Sequence, residues 1–383
     1  MTVPAAEDLV FVQRVPAQKL PPPITRVGVI GWARVNLFSS IRSTILSLTL
    51  AVIAVWIAND LLHFLVIDAV WTGSDREACL PRDGQEVGAC WAFIHERMSF
   101  FIYGSYPAGE RWRVDVFFAL LAFGGGWMLW LDAPRRDIGA LVFFVVLPIV
   151  SFVLLSGWPL IGLAKVETDL WGGMLVTVVV ATVGIVVSLP IGILLALGRR
   201  SDMPAVRFLS IIFIEFVRGV PLITVLFMSS VMLPLFVPPE FSPDKLLRAL
   251  VGMVIFASAY QAEVVRAGLE GIPRGQFEAA RALGLGFWKL HTFVVLPQAL
   301  RITIPNIVNS FIALFKDTSL VFFVGIFDFL KTIEIARLDP KWAGPNISLT
   351  GYAFAGIVYF VCCYLMASYA ASVERRLERS DRR

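Results

Sequence analysis

Residues 275–301, GQFEAARALGLGFWKLHTFVVLPQALR, place Arg, Glu, Lys and His, two helix-breaking glycines and a Leu-Pro pair between two long apolar runs. The stretch is too polar to lie in hydrocarbon and too apolar for an ordinary loop. From Pro273, PRGQFEAARALG suits a short helix, because proline is tolerated in a first turn and Gly284 can take the left-handed conformation that ends one. Phe277, Ala280 and Gly284 fall on one face, with Glu278 and Arg281 beside it at an i, i+3 spacing. A second short helix, FWKLHTFVV, puts Phe287, Leu290 and Val294 on one face before Pro297. The two predict a helical hairpin with an apolar face. A helix lying on lipid would carry more positive charge, and Glu278 is poorly matched to anionic headgroups. The pattern points instead to docking of a soluble partner, with the apolar face in a groove and one carboxylate at its rim.

Outward from the hairpin the chain is mostly apolar. Of its 383 residues, 57% are hydrophobic and 16% charged, against about 25% charged in soluble domains, and mean hydropathy is +0.77. This is the composition of an integral membrane protein. The net charge of +4 is too small to imply a nucleic-acid partner. A crossing helix needs about 20 mostly apolar residues. That criterion predicts an all-α, polytopic membrane helical bundle of about eight transmembrane helices, near 41–58, 115–131, 138–157, 170–197, 208–236, 246–265, 299–326 and 350–372.

Lys and Arg collect in short loops on the cytoplasmic side. Segment 1–40, with Arg14, Lys19, Arg26 and Arg34, lacks a signal peptide's apolar core and cleavage site and reads as a cytoplasmic tail. DAPRRD (132–137), GRRSDMPAVR (198–207), the hairpin and ERRLERSDRR (374–383) fall on the same side, while LAKVETD (163–169) and PPEFSPD (238–244) are poorer or acid-balanced. Both termini are therefore expected in the cytoplasm. The large loop at about 59–114 then faces outward and contains Cys79 and Cys90, which in an oxidising periplasm either form a disulfide or remain two thiols. Cys362 and Cys363 lie in the last span, and neither pair has the spacing of a zinc site.

His63, His95 and His291 are dispersed, and no H-E-x-x-H or G-x-S-x-G occurs. There is also no phosphate-cradling G-x-x-x-x-G-K-[ST]. No enzyme activity, bound cofactor or metal is expected of this chain, and any ATP-driven work must draw on another subunit.

Glu278-Ala279-Ala280, three residues, Gly284, nine residues and Val294-Val295-Leu296-Pro297 resemble the EAA loop of binding-protein-dependent ABC importer permeases. FIEFVRGVPL (213–222), YQAEVVRAGLEGIPRGQFEAARALG (260–284) and LPQALRITIPNIVNSFIALFKDTSL (296–320) are similar to its polar amino acid uptake branch. The resemblance covers about 168–372 and implies a five-helix permease core of the type I importer kind. It implies ATPase coupling through the 273–297 loop, carried by Gly275, Glu278, Ala279, Ala280, Gly284, Leu296 and Pro297. The first 160 residues, with three extra spans at 41–160 and the large Cys-containing loop, resemble the M-type permease of general L-amino acid importers, and 373–383 reads as a basic cytoplasmic tail. Further implications are a multi-pass inner-membrane location amid lipid, a second permease subunit, two ATPase subunits carrying ATP and Mg, and a periplasmic amino acid binding protein. The competing reading is an ion-coupled secondary transporter or channel for small polar solutes.

The seventh span is unusually polar. Asn306, Asn309, Ala313 and Lys316 share a helical face, Asp317 lies about 100° further round, and Thr318 and Ser319 continue the run. Ionisable groups at membrane depth cost a few kcal/mol unless they face partners or water. Either these residues line a path for a zwitterionic amino acid, or they pair with neighbouring helices for structure alone. Glu215, Arg218, Gln261, Glu263 and Arg266 leave the same choice between inter-helix pairing and a gate.

Overall fold

The computed structural model of the protein describes residues 28–81, 87–130 and 132–381. Arg14, Lys19 and Arg26 of the expected tail, and the last two arginines, lie outside them. The chain divides into two units at Asp68–Ala69. The first contains α1 (Gly28–Asn36) and α2 (Ile41–Leu62), which a π-turn extends to Ile67. Ser40 starts α2 with a capping box: its hydroxyl accepts from Ser43 N at 3.2 Å, and Ser43 Oγ accepts from Ser40 N at 3.1 Å. The span Ile41–Ile67 is apolar all round, as suits a helix surrounded by hydrocarbon.

The second unit starts with α3 (Trp91–Tyr103) and α4 (Trp112–Leu129). α5 (Arg136–Leu141), a π-turn and α6 (Leu147–Ser156) follow as one span. Then come α7 (Gly173–Arg199), α8 (Pro204–Gly219), α9 (Leu222–Phe227), α10 (Leu233–Phe236) and α11 (Lys245–Glu270). The last part contains α12 (Arg274–Ala282), α13 (Phe287–Leu290), α14 (Leu296–Asp317), a 3₁₀ stretch to Val324, α15 (Phe329–Ala336) and α16 (Ile347–Asp381). Among the described residues there are three isolated β-bridges and no sheet. Among the described residues, seven helices are long and apolar enough to span, or eight when the bent pair α8 plus α9–α10 counts as one.

That pair is where the expected span 208–236 differs from the structure. The chain turns by 108° after Gly219, because the residue before a proline is pushed out of the helical region. Val220, preceding Pro221, is extended at φ −111°, ψ 137°. The expected separate helix before Pro297 is also revised. α13, a π-turn at 291–295 and α14 run on as one span, with the π-turn immediately before Pro297, where the i→i−4 ladder is already interrupted.

At the centre, α7 packs lengthwise on α11 through small residues. A Cβ on Gly192 would meet Gln261 Cβ at 2.6 Å, and at the neighbouring seam of α11 with α14 one on Gly268 would meet the Ala299 carbonyl oxygen at 2.6 Å. Such glycines let backbones approach closely where lipid supplies no hydrophobic drive. Val114 and Phe117 of α4 and Leu155 of α6 join Leu175, Val180, Leu246 and Met253 in one buried cluster. Everything from Ala69 onward packs as one unit. Cys79 and Cys90 are joined as a disulfide, with Cα atoms 5.8 Å apart. They sit in a second cluster with Phe93, Phe101, Phe329 and the fully buried Trp342, which fastens the 69–103 segment to α15 and α16. Cys90 N donates to Thr350 Oγ1 at 2.9 Å, and Arg97 pairs with Asp339.

Candidate coupling and translocation sites

The 274–295 hairpin is held at the ends of α7 and α11. Ala280 and Leu290 are buried with Ala196, Leu197, Val265 and Leu269. The Arg200 guanidinium lies 5.5 Å over the Phe277 ring, and the His291 ring contacts Phe287 at 4.2 Å between centroids. Gly284, at φ +73°, turns the chain out of α12; its N–H donates to Arg281 O at 2.9 Å and that of Leu285 to Ala280 O at 3.2 Å. These are the terminal bonds a left-handed glycine makes possible. Gly275, Glu278, Ala279, Gly284 and Pro297 are exposed, Leu296 is half-buried, and Ala280 faces the anchor. Glu278 has no ion-pair partner among the described residues. With Arg200, Glu270, Arg274, Phe277 and Arg281 it lines a hollow of about 420 Å³. One face of α12 is thus tied to two spans, while the other presents a free carboxylate and arginines.

Directly behind the hairpin lies a charged belt. Glu263 of α11 receives Arg199 of α7 at 3.8 Å, Arg218 of α8 at 3.6 Å and Arg266 of its own helix. Arg199 also reaches Glu215 of α8 at 2.7 Å, and Arg266 pairs with Glu270. Arg218 stacks 5.6 Å from the Tyr260 ring. The belt joins the same ends of three helices, so a shift in any one changes the pairing of the others. Removing one partner of such a part-buried set costs more than the pair contributes, because the remaining charge is left without compensation. Gln261 stands apart: it is buried against Gly192, and its Oε1 finds no partner among the described residues. Arg199 and Glu270 were missed in the sequence. The signal for Arg199 was the pair of arginines closing a span, read there only as an orientation marker.

On α14, Asn306, Asn309, Ala313 and Lys316 share one exposed face, beside the buried stripe of Ala299, Thr303, Ile307 and Leu314. Asp317 is half-buried. Thr318 and Ser319 have left the α-helix for the 3₁₀ stretch and are turned onto the backbone: Thr318 is buried with its hydroxyl on Phe315 O at 2.7 Å, and Ser319 donates to Lys316 O at 2.9 Å. The structure therefore brings Asn306, Asn309 and Lys316 together and separates Thr318 from them. A further buried carboxylate, Asp328, caps α15 by accepting from Leu330 N at 2.9 Å and Lys331 N at 3.2 Å. Burial pushes its carboxyl up to about 6 against the downward pull of those two bonds.

Residues 188–379 match the family described as "Binding-protein-dependent transport system inner membrane component". The chain belongs to that family. The matched region runs from within α7 into α16 and includes the hairpin, the belt and the polar face of α14. Over 345 residues the chain is 48% identical to the "Inner membrane amino-acid ABC transporter permease protein YhdY" of Escherichia coli, covering 90% of this chain and 92% of that protein. It is 37% identical to the "Glutamate/glutamine/aspartate/asparagine transport system permease protein BztC" of Rhodobacter capsulatus, covering 98% of this chain and all of that one. A shorter relative, the "Probable glutamine ABC transporter permease protein GlnP" of Bacillus subtilis, is 32% identical over 54% of this chain and 93% of its own length. The protein is accordingly a multi-pass inner-membrane transport component. Its relatives favour a permease working within an ABC transporter over an ion-coupled carrier or channel.

Proposed function

We propose that this chain is the membrane-spanning subunit of an ATP-driven importer of L-amino acids, coupled through its 274–295 hairpin to separate ATPase subunits that bind ATP and Mg. The observation carrying this reading is the two-sidedness of α12. Ala280 is locked to the ends of α7 and α11, while Glu278 is exposed without an ion-pair partner among the described residues. A basic residue at the rim of an ATPase groove meets that carboxylate, and closure of the ATPases on ATP moves the hairpin. The belt around Glu263 lies one step behind it and re-pairs as α7, α8 and α11 shift. The protein then exchanges two global states biased by ligand.

In this reading the hairpin end is cytoplasmic and the disulfide end periplasmic, as the placement of Lys and Arg supports. A second permease subunit faces the open side of α14. Asn306, Asn309 and Lys316 meet the carboxylate of a passing amino acid, and Asp317 its ammonium. A periplasmic binding protein delivers the substrate. The relatives' names support amino acids as cargo. Reconstitution tests the reading: the complete complex in proteoliposomes takes up labelled amino acids only with internal ATP. Uptake by this chain without any ATPase contradicts it.

A further inference from the structure

Away from the hairpin, at the disulfide end of the bundle, a cleft of about 920 Å³ opens between α4, α6, α7 and the start of α11. That is at the upper end of the range for small-molecule pockets. Its lining is divided along its depth. The inner part is hydrocarbon, including Phe143, Phe144, Phe152, Val183 and Val187. From Phe143 to Ser156 the wall rises roughly 20 Å at helical pitch, close to one leaflet, about 15 Å of hydrocarbon, plus its headgroup layer.

Charge is confined to the mouth, and its pairing is incomplete. Lys245 Nζ donates to Gly325 O at 3.1 Å and Arg248 Nη1 to Ser230 O at 2.8 Å; neither meets a carboxylate among the described residues. Glu167 is near Lys165 at 3.9 Å, and Asp244 accepts from the Thr168 hydroxyl at 2.6 Å. Asp169 at the same rim is exposed with no partner among the described residues.

From this we infer that the cleft binds one glycerophospholipid with a zwitterionic, amine-bearing headgroup, drawn from the leaflet at the disulfide end. Its acyl chains fill the aromatic and valine-lined depth. Its phosphate meets Lys245 and Arg248, and its ammonium meets Asp169. A free amino acid would leave the apolar depth empty, and an apolar helix of a neighbouring subunit would leave the cations unmet. The inference requires only that the chain sits in a membrane and is independent of the ATPase-coupling reading.

The test uses the purified full complex in vesicles of equimolar phosphatidylethanolamine and phosphatidylglycerol, with a diazirine placed on an acyl chain of each lipid in turn. The phosphatidylethanolamine probe is expected to label peptides carrying 143–152 and 183–187 about tenfold over those carrying Phe360 and Leu365 of α16, the difference one well-made charged contact supplies. Val183→Trp, or the more exposed Val187→Trp if the first fails to assemble, should reduce labelling to the α16 level. Asp169→Asn should abolish the preference between the two lipids. Uniform labelling, equal labelling by the phosphatidylglycerol probe in the unsubstituted protein, indifference to both Trp variants, or cross-linking of the cleft to another subunit overturns it.

Discussion

Lys316 and Asp328 are both charged groups in largely apolar surroundings, yet their neighbours give them different roles. Lys316 is exposed on the polar face of α14, beyond the reach of the packing that holds Leu314 and Phe315. If it meets substrate, Lys316→Ala lowers amino acid uptake roughly tenfold, the worth of one hydrogen bond to a charged group, while the complex still assembles. Unchanged uptake kinetics for every amino acid tested would return it to a structural role. Asp328 is fully buried, and its carboxyl is pushed up to about 6 from an ordinary value near 4. The folded state therefore holds the proton more tightly than the unfolded chain. The stability linked to that proton is fully present below about pH 4 and is lost as pH rises through about 6. Asp328→Asn keeps a cap of equal rank without the titration. Thermal unfolding of the solubilised protein between about pH 4 and pH 7 should show the parent losing stability relative to the Asn variant as pH rises. Parallel profiles contradict this assignment.

At the scale of elements, the α7–α11 seam depends on the absence of side chains. Gly192→Leu forces a Cβ to within 2.6 Å of Gln261 Cβ and 3.0 Å of Ala262 N. Overpacking of this kind costs typically 1–3 kcal/mol, expected as a fall of several degrees in the unfolding temperature; an unchanged temperature means the seam relaxes freely. Most spans were legible in the sequence because about 20 apolar residues leave few other structures possible in lipid. The hairpin was legible from Pro273, Gly284 and the spacing of Ala280. Other features escaped because hydropathy does not record direction. The 108° turn at Val220–Pro221 sits inside an unbroken apolar run. The continuity of α13 with α14 depends on a π-turn just before Pro297. α3 and α15 are too short to register as spans, although they fasten the disulfide-bonded segment to the core. The convergence of Arg199, Arg218 and Arg266 on Glu263 joins positions far apart in sequence, and only the fold brings them together.

For the whole molecule, two ends of one bundle are built differently. The disulfide end is fastened by Trp342, Thr350 and the Arg97–Asp339 pair. The hairpin end has a charged belt that can exchange partners and an exposed carboxylate. That asymmetry suits a subunit whose moving contacts lie at one end. In the proposed function, Glu278 joins the hairpin to a separate ATPase subunit. The direct measurement is ATP-driven uptake and ATPase co-purification for Glu278→Lys, made in the same preparation. The account predicts that uptake is abolished and the ATPase is lost from the complex, while this chain still inserts at normal levels. Normal uptake with the ATPase retained would contradict it.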